Sequence, residues 1–172
     1  MKILVFTEGT LLIDGAWCGL PRDEIVRRSR LRQGSGDFAA SVPIGNAMAK
    51  LRAWHDQGAE IAYLTSRTRV EQITEIQRVL TRHHFPEGRL WFRRTGEAYA
   101  DVAAQVRPDV LIEDDCESIG GEAEMTYPHL RADLKARIVS IVVTEFGGID
   151  HLPDDFRDLS RWAVVPPQEG VP

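Results

Sequence analysis

The sequence predicts an α/β fold, a three-layer sandwich with a central parallel, Rossmann-like sheet. Two observations support it: short aliphatic runs are apolar without interruption, and the segments between them carry apolar residues at helical spacing. A strand that is apolar along its whole length is covered on both faces, which is typical of parallel sheets. Short connections between alternating strands and helices then require right-handed crossovers.

Five runs are predicted to form the strands of this sheet. They are Lys2–Phe6, Glu60–Leu64, Leu90–Arg93, Asp109–Ile112 and Ile138–Val143. Apart from Leu90–Arg93, a shorter fifth candidate, each is rich in β-branched or aliphatic residues, which favour a buried pleated surface. We expect Leu90–Arg93 to lie near an edge of the sheet.

Four helices are predicted between these strands. They cover Pro21–Arg32, Asn46–Gln57, Val70–His83 and Glu97–Val106. In the second of them, apolar residues such as Leu51 and Trp54 recur near a 3.6-residue period, and Gly58 follows as a C-terminal stop. Pro108 prevents the last helix from continuing.

The domain organisation is predicted to be simple. A chain of 172 residues, of which 43% are hydrophobic and 27% charged, can bury the core of one domain. We assign residues 1–165 to that domain and expect the Pro- and Gly-rich tail, 166–172, to be disordered. The excursion 11–43 leaves the carboxyl end of the first strand, where ligands bind in such folds, and is interpreted as a small flap or minimal cap.

Composition excludes several classes of partner. The formal net charge of −5 argues against a general nucleic-acid binder, which would be basic. No run approaches the length of a membrane span, so no membrane partner is expected. Cys18 and Cys116 are too few for a disulfide framework, which favours a reducing cytoplasm. The oligomeric state is not predicted.

Polar residues follow three of the predicted strands. The first strand runs into Thr7–Thr10 (TEGT), the second ends in Thr65–Arg67 (TSR), and a later one ends in Glu113–Asp115 (EDD). Taken singly, these segments are typical of a turn, a helix N-cap and a solvated loop. Because the carboxyl ends of parallel strands meet at one edge of a sheet, their coincidence favours a ligand site. Clustered carboxylates repel one another, and a divalent cation relieves that repulsion.

These motifs resemble those of the haloacid dehalogenase-like (HAD) superfamily, mostly phosphatases and phosphotransferases. Phe6–Thr10 (FTEGT) is similar to the family's D-x-D-G-T, Thr65 to the hydroxyl residue of its second motif, and Glu113–Asp115 to the acids of its fourth. The resemblance covers roughly residues 1–145. It implies a HAD-like fold, a small phosphorylated ligand and a magnesium cofactor, with an aspartyl-phosphate intermediate in typical members.

The resemblance also implies a role for each matched residue. Glu8 is expected to act as the general acid/base, and Glu113, Asp114 and Asp115 are expected to hold magnesium. Hydroxyl and guanidinium groups are expected to bind the phosphate, and the residues that carry them are Thr7, Thr10, Thr65, Ser66, Arg67, Arg93 and Arg94.

Two features depart from the family pattern. Phe6 stands where the nucleophilic Asp is expected, and a phenyl ring can neither attack phosphorus nor bind magnesium. The third-motif lysine, expected near Ala100, is also absent. Arg93 or Arg94 can replace its charge but not its compact geometry. Both departures argue against a covalent aspartyl-phosphate mechanism.

Three functions therefore stay open. One is a metal-assisted phosphohydrolase in which water attacks directly, with Glu8 as the base and Asp114 or Asp115 holding magnesium. The second is a pseudoenzyme that binds a phosphorylated ligand or protein without turnover. The third is an assembly subunit whose acids serve only as caps and turn formers. The first two use the same residues, so the sequence does not separate them.

Two further segments have alternative interpretations. Arg22–Arg32 carries five arginines, which either steer a phosphorylated ligand or form a solvated helix face, and we favour the helix face. Glu145–Pro153 is either a backbone turn or a further loop of the site. We favour the turn, with Glu145 and Asp150 as additional site residues under the second interpretation.

Overall fold

A five-stranded parallel sheet forms the centre of the computed structural model, which describes residues 1–32 and 38–162. The strands of this sheet are β1 (Lys2–Phe6), β4 (Glu60–Thr65), β5 (Arg89–Phe92), β6 (Val110–Asp114) and β7 (Val139–Val143). A separate two-stranded sheet contains β2 (Leu12–Asp14) and β3 (Ser41–Pro43). The helices are α1 (Arg22–Arg32), α2 (Ala47–Asp56), α3 (Val70–Arg82), α4 (Tyr99–Val106) and α5 (Ala132–Lys135). Short 3₁₀ helices connect several of them, at Gly15–Trp17, Phe38–Ala40, Gly121–Glu124, Tyr127–His129 and Phe156–Arg161.

The strand order in the sheet is β5-β4-β1-β6-β7. Strand β1 is central and pairs in parallel with β4 on one side and β6 on the other, with Val5 opposite both Tyr63 and Ile112. The predicted α/β sandwich with a parallel sheet is therefore confirmed. The chain moves outward from β1 in one direction and then in the other, so β1 lies at the switch point of the topology, where such folds bind ligands.

Both faces of the sheet are buried, which explains the uninterrupted apolar strands. Ile3 and Val5 of β1 belong to the core cluster that α2 and α3 cover. Leu4 and Phe6 alternate onto the opposite face and pack with residues of α4. The helical faces have the predicted spacing, and in α3 the buried residues are Ile73, Ile76, Val79 and Leu80.

Trp54 of α2 anchors one of these layers. It is fully buried, and its indole Nε1–H donates to the carbonyl of Pro153 at 2.9 Å. Helix α2 ends one residue before Gln57, and Gly58 then adopts a φ of +100°, a conformation that glycine enters without steric strain. The predicted end of this helix thus agrees with the structure.

The excursion after β1 contains a hairpin that the sequence pattern did not predict. Strands β2 and β3 pair antiparallel, and α1 lies between them in the chain. Ile13, Trp17 and Ile25 form a small apolar cluster here, and the Trp17 ring meets Phe146 edge-on with centroids 6.0 Å apart. Residues 33–37 of the excursion and the predicted tail 166–172 lie outside the described residues. None of the helices in the described part is long and apolar enough to cross a membrane.

Replacing Trp54 by Ala should lower the free energy of unfolding by about 3–5 kcal/mol, because a fully buried aromatic ring is lost and a cavity remains. Urea denaturation followed by circular dichroism measures this change. Trp162, which is 44% exposed, provides the control: Trp162→Ala should change stability by less than about 0.5 kcal/mol. Equal effects of the two substitutions would contradict the packing described for α2.

Candidate functional site

A cleft of about 150 Å³ opens at the carboxyl edge of the parallel sheet. The cleft is lined by residues that follow β1, β4 and β6, and by residues of the excursion after β1. Glu8, Ser66 and Asp114 come from the three polar segments singled out in the sequence. The topology brings these segments together because their strands are neighbours in the sheet.

The turn after β1 is held tightly against β6. Gly9 has a φ of +80°, and a Cβ at this position would lie 2.7 Å from Asp114 Oδ2. The backbone N–H groups of Leu11 and Leu12 both donate to the carbonyl of Thr7 and close the turn. Phe146 N–H donates to the Gly9 carbonyl at 2.7 Å. Only glycine satisfies both the positive φ and the close approach.

The carboxylate of Glu8 lies inside a ring of donors. Thr65 Oγ1 donates to Oε1 at 2.6 Å, and Thr7 Oγ1 and Ser66 N–H donate to Oε2 at 2.7 and 3.2 Å. The Arg67 guanidinium Nε lies 3.3 Å from Oε1. Thr7 and Thr65 are fully buried. Four groups expected to bind phosphate therefore surround one oxyanion, which the protein itself supplies.

Asp114, at the end of β6, is a buried carboxylate. Thr10 Oγ1 donates to its Oδ2 at 2.8 Å, and Cys116 N–H donates to its Oδ1 at 3.0 Å. Burial raises the pKa of Asp114, and the charge of Asp115 raises it further, while both hydrogen bonds lower it. The resulting pKa is about 6. The fully buried Thr10 hydroxyl thus contacts Asp114, although we expected it to bind phosphate directly.

Three acidic residues form a group that can hold a metal ion. One carboxylate oxygen of each of Asp114, Asp115 and Glu145 lies within 4.8 Å of the others. The Glu145 oxygens accept hydrogen bonds from N–H and Oγ of Ser118, both at 2.6 Å. Burial raises the pKa of Glu145, and the charges of Asp114 and Asp115 raise it further. Glu145 therefore lies in the site, and the turn that we favoured for its segment also contributes a side chain.

Glu113 differs from the expectation that it joins this group. Its two oxygens accept hydrogen bonds from the backbone N–H groups of Thr126 and Tyr127, at 2.6 and 2.9 Å. Successive residues of a strand point to opposite faces, so Glu113 is directed away from the face of Asp114. Burial raises its pKa, and the two backbone hydrogen bonds act against that increase. Glu113 stabilises the segment after β6 rather than lining the cleft.

An aromatic pair lies at the position that the resemblance assigns to a nucleophile. Phe6 lines the cleft, and its ring meets that of Tyr99 edge-on, with centroids 5.0 Å apart. The guanidinium of Arg93 lies over the Tyr99 ring, 4.0 Å from its centroid. Arg94 is exposed, its N–H bonds to Glu97, and it does not line the cleft. Neither of the two arginines considered as replacements for the lysine lines the cleft, and of the two Arg93 is the one that covers the lining residue Tyr99.

The basic segment is not a free positive surface. Each of its five arginines has an acidic partner: Arg22 and Arg30 pair with Glu117, Arg27 and Arg28 with Glu24, and Arg32 with Asp14. The interpretation as a solvated, paired helix face agrees with these contacts. Asp150, the other acid considered in the loop after β7, is exposed and accepts a hydrogen bond from Asn46 N–H at 2.9 Å, where α2 begins.

Sequence reasoning missed Tyr99 and most of the aromatic wall of the cleft. Trp17, Phe38 and Phe146 all line it, yet they come from three separate segments and share no motif. Tyr99 had one usable signal, since it directly precedes Ala100, where the family's lysine is expected.

No protein-family model matches this chain, and no curated protein matches it. Solved structures similar to it include a chain of the Pnkp1/Rnl/Hen1 complex, with a TM-score of 0.52 and 13% identity over 84% of this chain and 47% of that chain. A chain of the Pnkp1/Rnl/Hen1 RNA repair complex has a TM-score of 0.52 and 12% identity over 83% of this chain and 43% of that chain.

A class C acid phosphatase from Bacillus anthracis, solved with tungstate bound, is also similar. Its TM-score is 0.51 and its identity 14%, over 86% of this chain and 68% of that chain. The chain spans less than half the length of the two complex chains. At these identities the similarity establishes a shared α/β fold and nothing about individual residues.

The buried charge of Asp114 should destabilise the metal-free protein in a pH-dependent way. Its folded pKa of about 6 lies above the ordinary 3.8, so the folded state binds the proton more tightly, and ionisation weakens folding progressively as the pH rises from about 4 to 6 and fully above that range. In EDTA at pH 7.5, Asp114→Asn should raise the free energy of unfolding by on the order of 3 kcal/mol. The gain should fall to about half at pH 5 and to about a fifth at pH 4.

Urea denaturation at the three pH values tests this expectation. The Asn amide can keep both contacts, accepting from Cys116 N–H and donating to Thr10 Oγ1. Asp133→Asn removes a carboxylate whose side chain is 60% exposed and serves as the surface control. A destabilised Asp114→Asn at pH 7.5 would contradict the assignment of a destabilising charge.

Proposed function

We propose that this chain binds a phosphorylated ligand together with magnesium in the cleft, and that it hydrolyses the phosphate ester by direct attack of water. The observation that best supports the proposal is the ring of donors around the Glu8 carboxylate. Class C acid phosphatases belong to the HAD superfamily, so the shared fold agrees with phosphoryl chemistry. The segment 11–43 serves in this proposal as the flap over the bound ligand.

The donor ring suits a phosphoryl group. Two hydroxyls, one backbone N–H and one guanidinium converge on Glu8 with distances of 2.6–3.3 Å. A phosphoryl group is also an oxyanion, and it offers three terminal oxygens to these donors where the carboxylate offers two. Hydrogen bonds to charged oxygens are the stronger kind. Phosphate binding thus requires the Glu8 side chain to leave the ring.

The acidic group suits magnesium. Mg²⁺ prefers oxygen ligands at about 2.1 Å, so two of its ligands lie at most about 4.2 Å apart. The oxygens of Asp114, Asp115 and Glu145, within 4.8 Å of one another, need only a small contraction. A magnesium ion bound there would offset the negative charge of the phosphoryl group. Glu145 replaces Glu113 in this assignment.

Direct attack by water follows from the side chains present. The Phe6 ring offers no lone pair, and the buried Thr7 hydroxyl is one of the donors that bind the phosphoryl oxygens in this proposal. In the proposed reaction the water oxygen bonds to phosphorus, the ester P–O bond breaks, and the displaced Glu8 carboxylate accepts the proton that the water loses. The leaving alkoxide takes its proton from solvent, and inorganic phosphate is the second product.

Binding without hydrolysis is the second candidate function. The observation that favours it is Phe6 itself, because an aromatic stack with Tyr99 fills the nucleophile's place. A pseudoenzyme would retain the donor ring and the acidic group and lack turnover. The two candidates predict the same ligand affinity and differ only in product formation.

Isothermal titration of inorganic phosphate, with and without magnesium, tests the binding common to both candidates. Release of phosphate from a panel of small esters then separates hydrolysis from binding alone. Because one similar chain belongs to an RNA repair complex, the panel includes an oligonucleotide with a terminal phosphate. Acid quenching of a radiolabelled reaction should leave no phosphorylated protein. Absence of phosphate binding would overturn both candidates.

Glu8→Ala should bind phosphate about tenfold more tightly than the wild type, because the competing carboxylate leaves the donor ring. Its hydrolysis should fall by at least a hundredfold, since the base is lost. Glu8→Asp is the matched variant: its side chain is one methylene shorter, so it should release some donors and keep a carboxylate. We expect tighter phosphate binding with retained turnover. Weaker phosphate binding by Glu8→Ala would show that the ring is not an oxyanion site.

Phe6→Asp should gain affinity for magnesium, because it places a fourth carboxylate near Asp114 and Asp115. The lost ring burial destabilises the metal-free variant by up to about 1.5–3 kcal/mol. Magnesium should then raise its melting temperature more than that of the wild type, since a ligand selective for the folded state stabilises it. Phe6→Asn, uncharged and of similar size, is the control. Equal responses of the two variants to magnesium would contradict this placement of Phe6.

A further inference from the structure

We propose that the hydroxyl of Tyr99 donates a hydrogen bond to the phosphoryl group and fills the role left by the missing lysine. This inference rests on the proposed function, because it names a further residue of the same site. Tyr99 is the first residue of α4 and lines the cleft together with Glu8 and Asp114. It directly precedes Ala100, the position near which the resemblance places a lysine that this chain lacks.

The Tyr99 hydroxyl has no hydrogen-bond partner within residues 1–32 and 38–162. The other two tyrosines of the chain do have one: Tyr63 Oη donates to the Pro86 carbonyl at 2.8 Å, and Tyr127 Oη to the Lys135 carbonyl at 3.3 Å. The Tyr99 hydroxyl is also accessible to solvent, because it is not one of the fully buried polar atoms that lack a hydrogen-bond partner within the described residues. A tyrosine with a mostly buried ring ordinarily satisfies its hydroxyl, so an open one is available to a ligand.

The ring of Tyr99 is fixed from two sides. Phe6 meets it edge-on with an interplanar angle of 74°, and the Arg93 guanidinium covers it at 4.0 Å. A donor whose ring is already packed loses little freedom when a ligand arrives, which favours its use in recognition. The same contacts give Phe6 a structural role, because its ring packs against Tyr99 and holds the hydrogen-bond donor in place. An aspartate side chain would not make this contact.

Electrostatics keep this phenol protonated. Burial raises the pKa of Tyr99, with Glu8 acting in the same direction, while the charges of Arg93 and Arg67 lower it. At neutral pH the group is therefore a hydrogen-bond donor without charge. A neutral donor holds phosphate less strongly than an ammonium group, so we expect a site of modest affinity.

Titration of inorganic phosphate into the magnesium-loaded protein tests the inference. Tyr99→Phe should weaken phosphate binding about tenfold, while magnesium binding without phosphate and the melting temperature stay unchanged, since the hydroxyl makes no hydrogen bond within the described part of the chain. If the protein hydrolyses esters, kcat should fall by one to three orders of magnitude. Tyr127→Phe is the matched control: it loses the bond to Lys135, should be less stable, and should bind phosphate as the wild type does.

A measurement on the wild type covers the case in which Tyr99→Phe does not fold. In protein labelled with ¹³C at the tyrosine ζ carbon, phosphate and magnesium together should shift one of the three tyrosine resonances, and magnesium alone should not. Three unshifted resonances, or equal phosphate affinity of wild type and Tyr99→Phe, would overturn the role of Tyr99 and leave the proposed function standing. A wild type that does not bind phosphate would overturn both.

Discussion

The hydrogen bond from Thr10 to Asp114 is the contact on which the rest of the site depends. It joins the turn after β1 to the end of β6, and Gly9 lets the two segments approach more closely than any side chain would permit. The Gly9 carbonyl in turn holds Phe146, next to Glu145, so the loop after β7 is fixed by the same turn. One short turn thereby positions a carboxylate from each neighbouring segment and directs Glu8 toward β4.

This arrangement concentrates negative charge in a buried place, and that charge opposes folding. Asp114 and Glu145 both have raised pKa values because burial disfavours their ionised forms. Packed hydrophobic residues in the same space would give a higher free energy of unfolding than these buried carboxylates do. Groups held in an unfavourable charge state are typical of functional sites, where a ligand of opposite charge supplies the missing compensation. The donor ring differs from the acidic group, because its donors already have a partner in the Glu8 carboxylate.

Sequence patterns predicted the sheet, its helices and the edge that carries the polar segments, because strand burial and helical periodicity are local properties that survive into the fold. The direction of individual side chains was not predictable in the same way. Glu113 and Asp114 are adjacent, and the pattern does not say which of them faces the cleft. Glu145 joins the site only through the tertiary placement of its loop, and β2–β3 is too short a hairpin to leave a periodic signal. The pairing of Arg22 and Arg30 in α1 depends on Glu117, which lies far away in the sequence.

Phe6 stands where the resemblance places a nucleophile, so the proposed site has to act without one. Four donors converge on the Glu8 carboxylate, and three carboxylates lie close enough together to hold one ion. Phe6, Tyr99 and Arg93 pack together in the same region, and the Tyr99 hydroxyl at the cleft wall has no hydrogen-bond partner within residues 1–32 and 38–162. Because a nucleophile and a buried ring cannot occupy the same place, the proposed function is limited to binding a phosphorylated ligand, with or without hydrolysis by water, in a cleft with an aromatic wall.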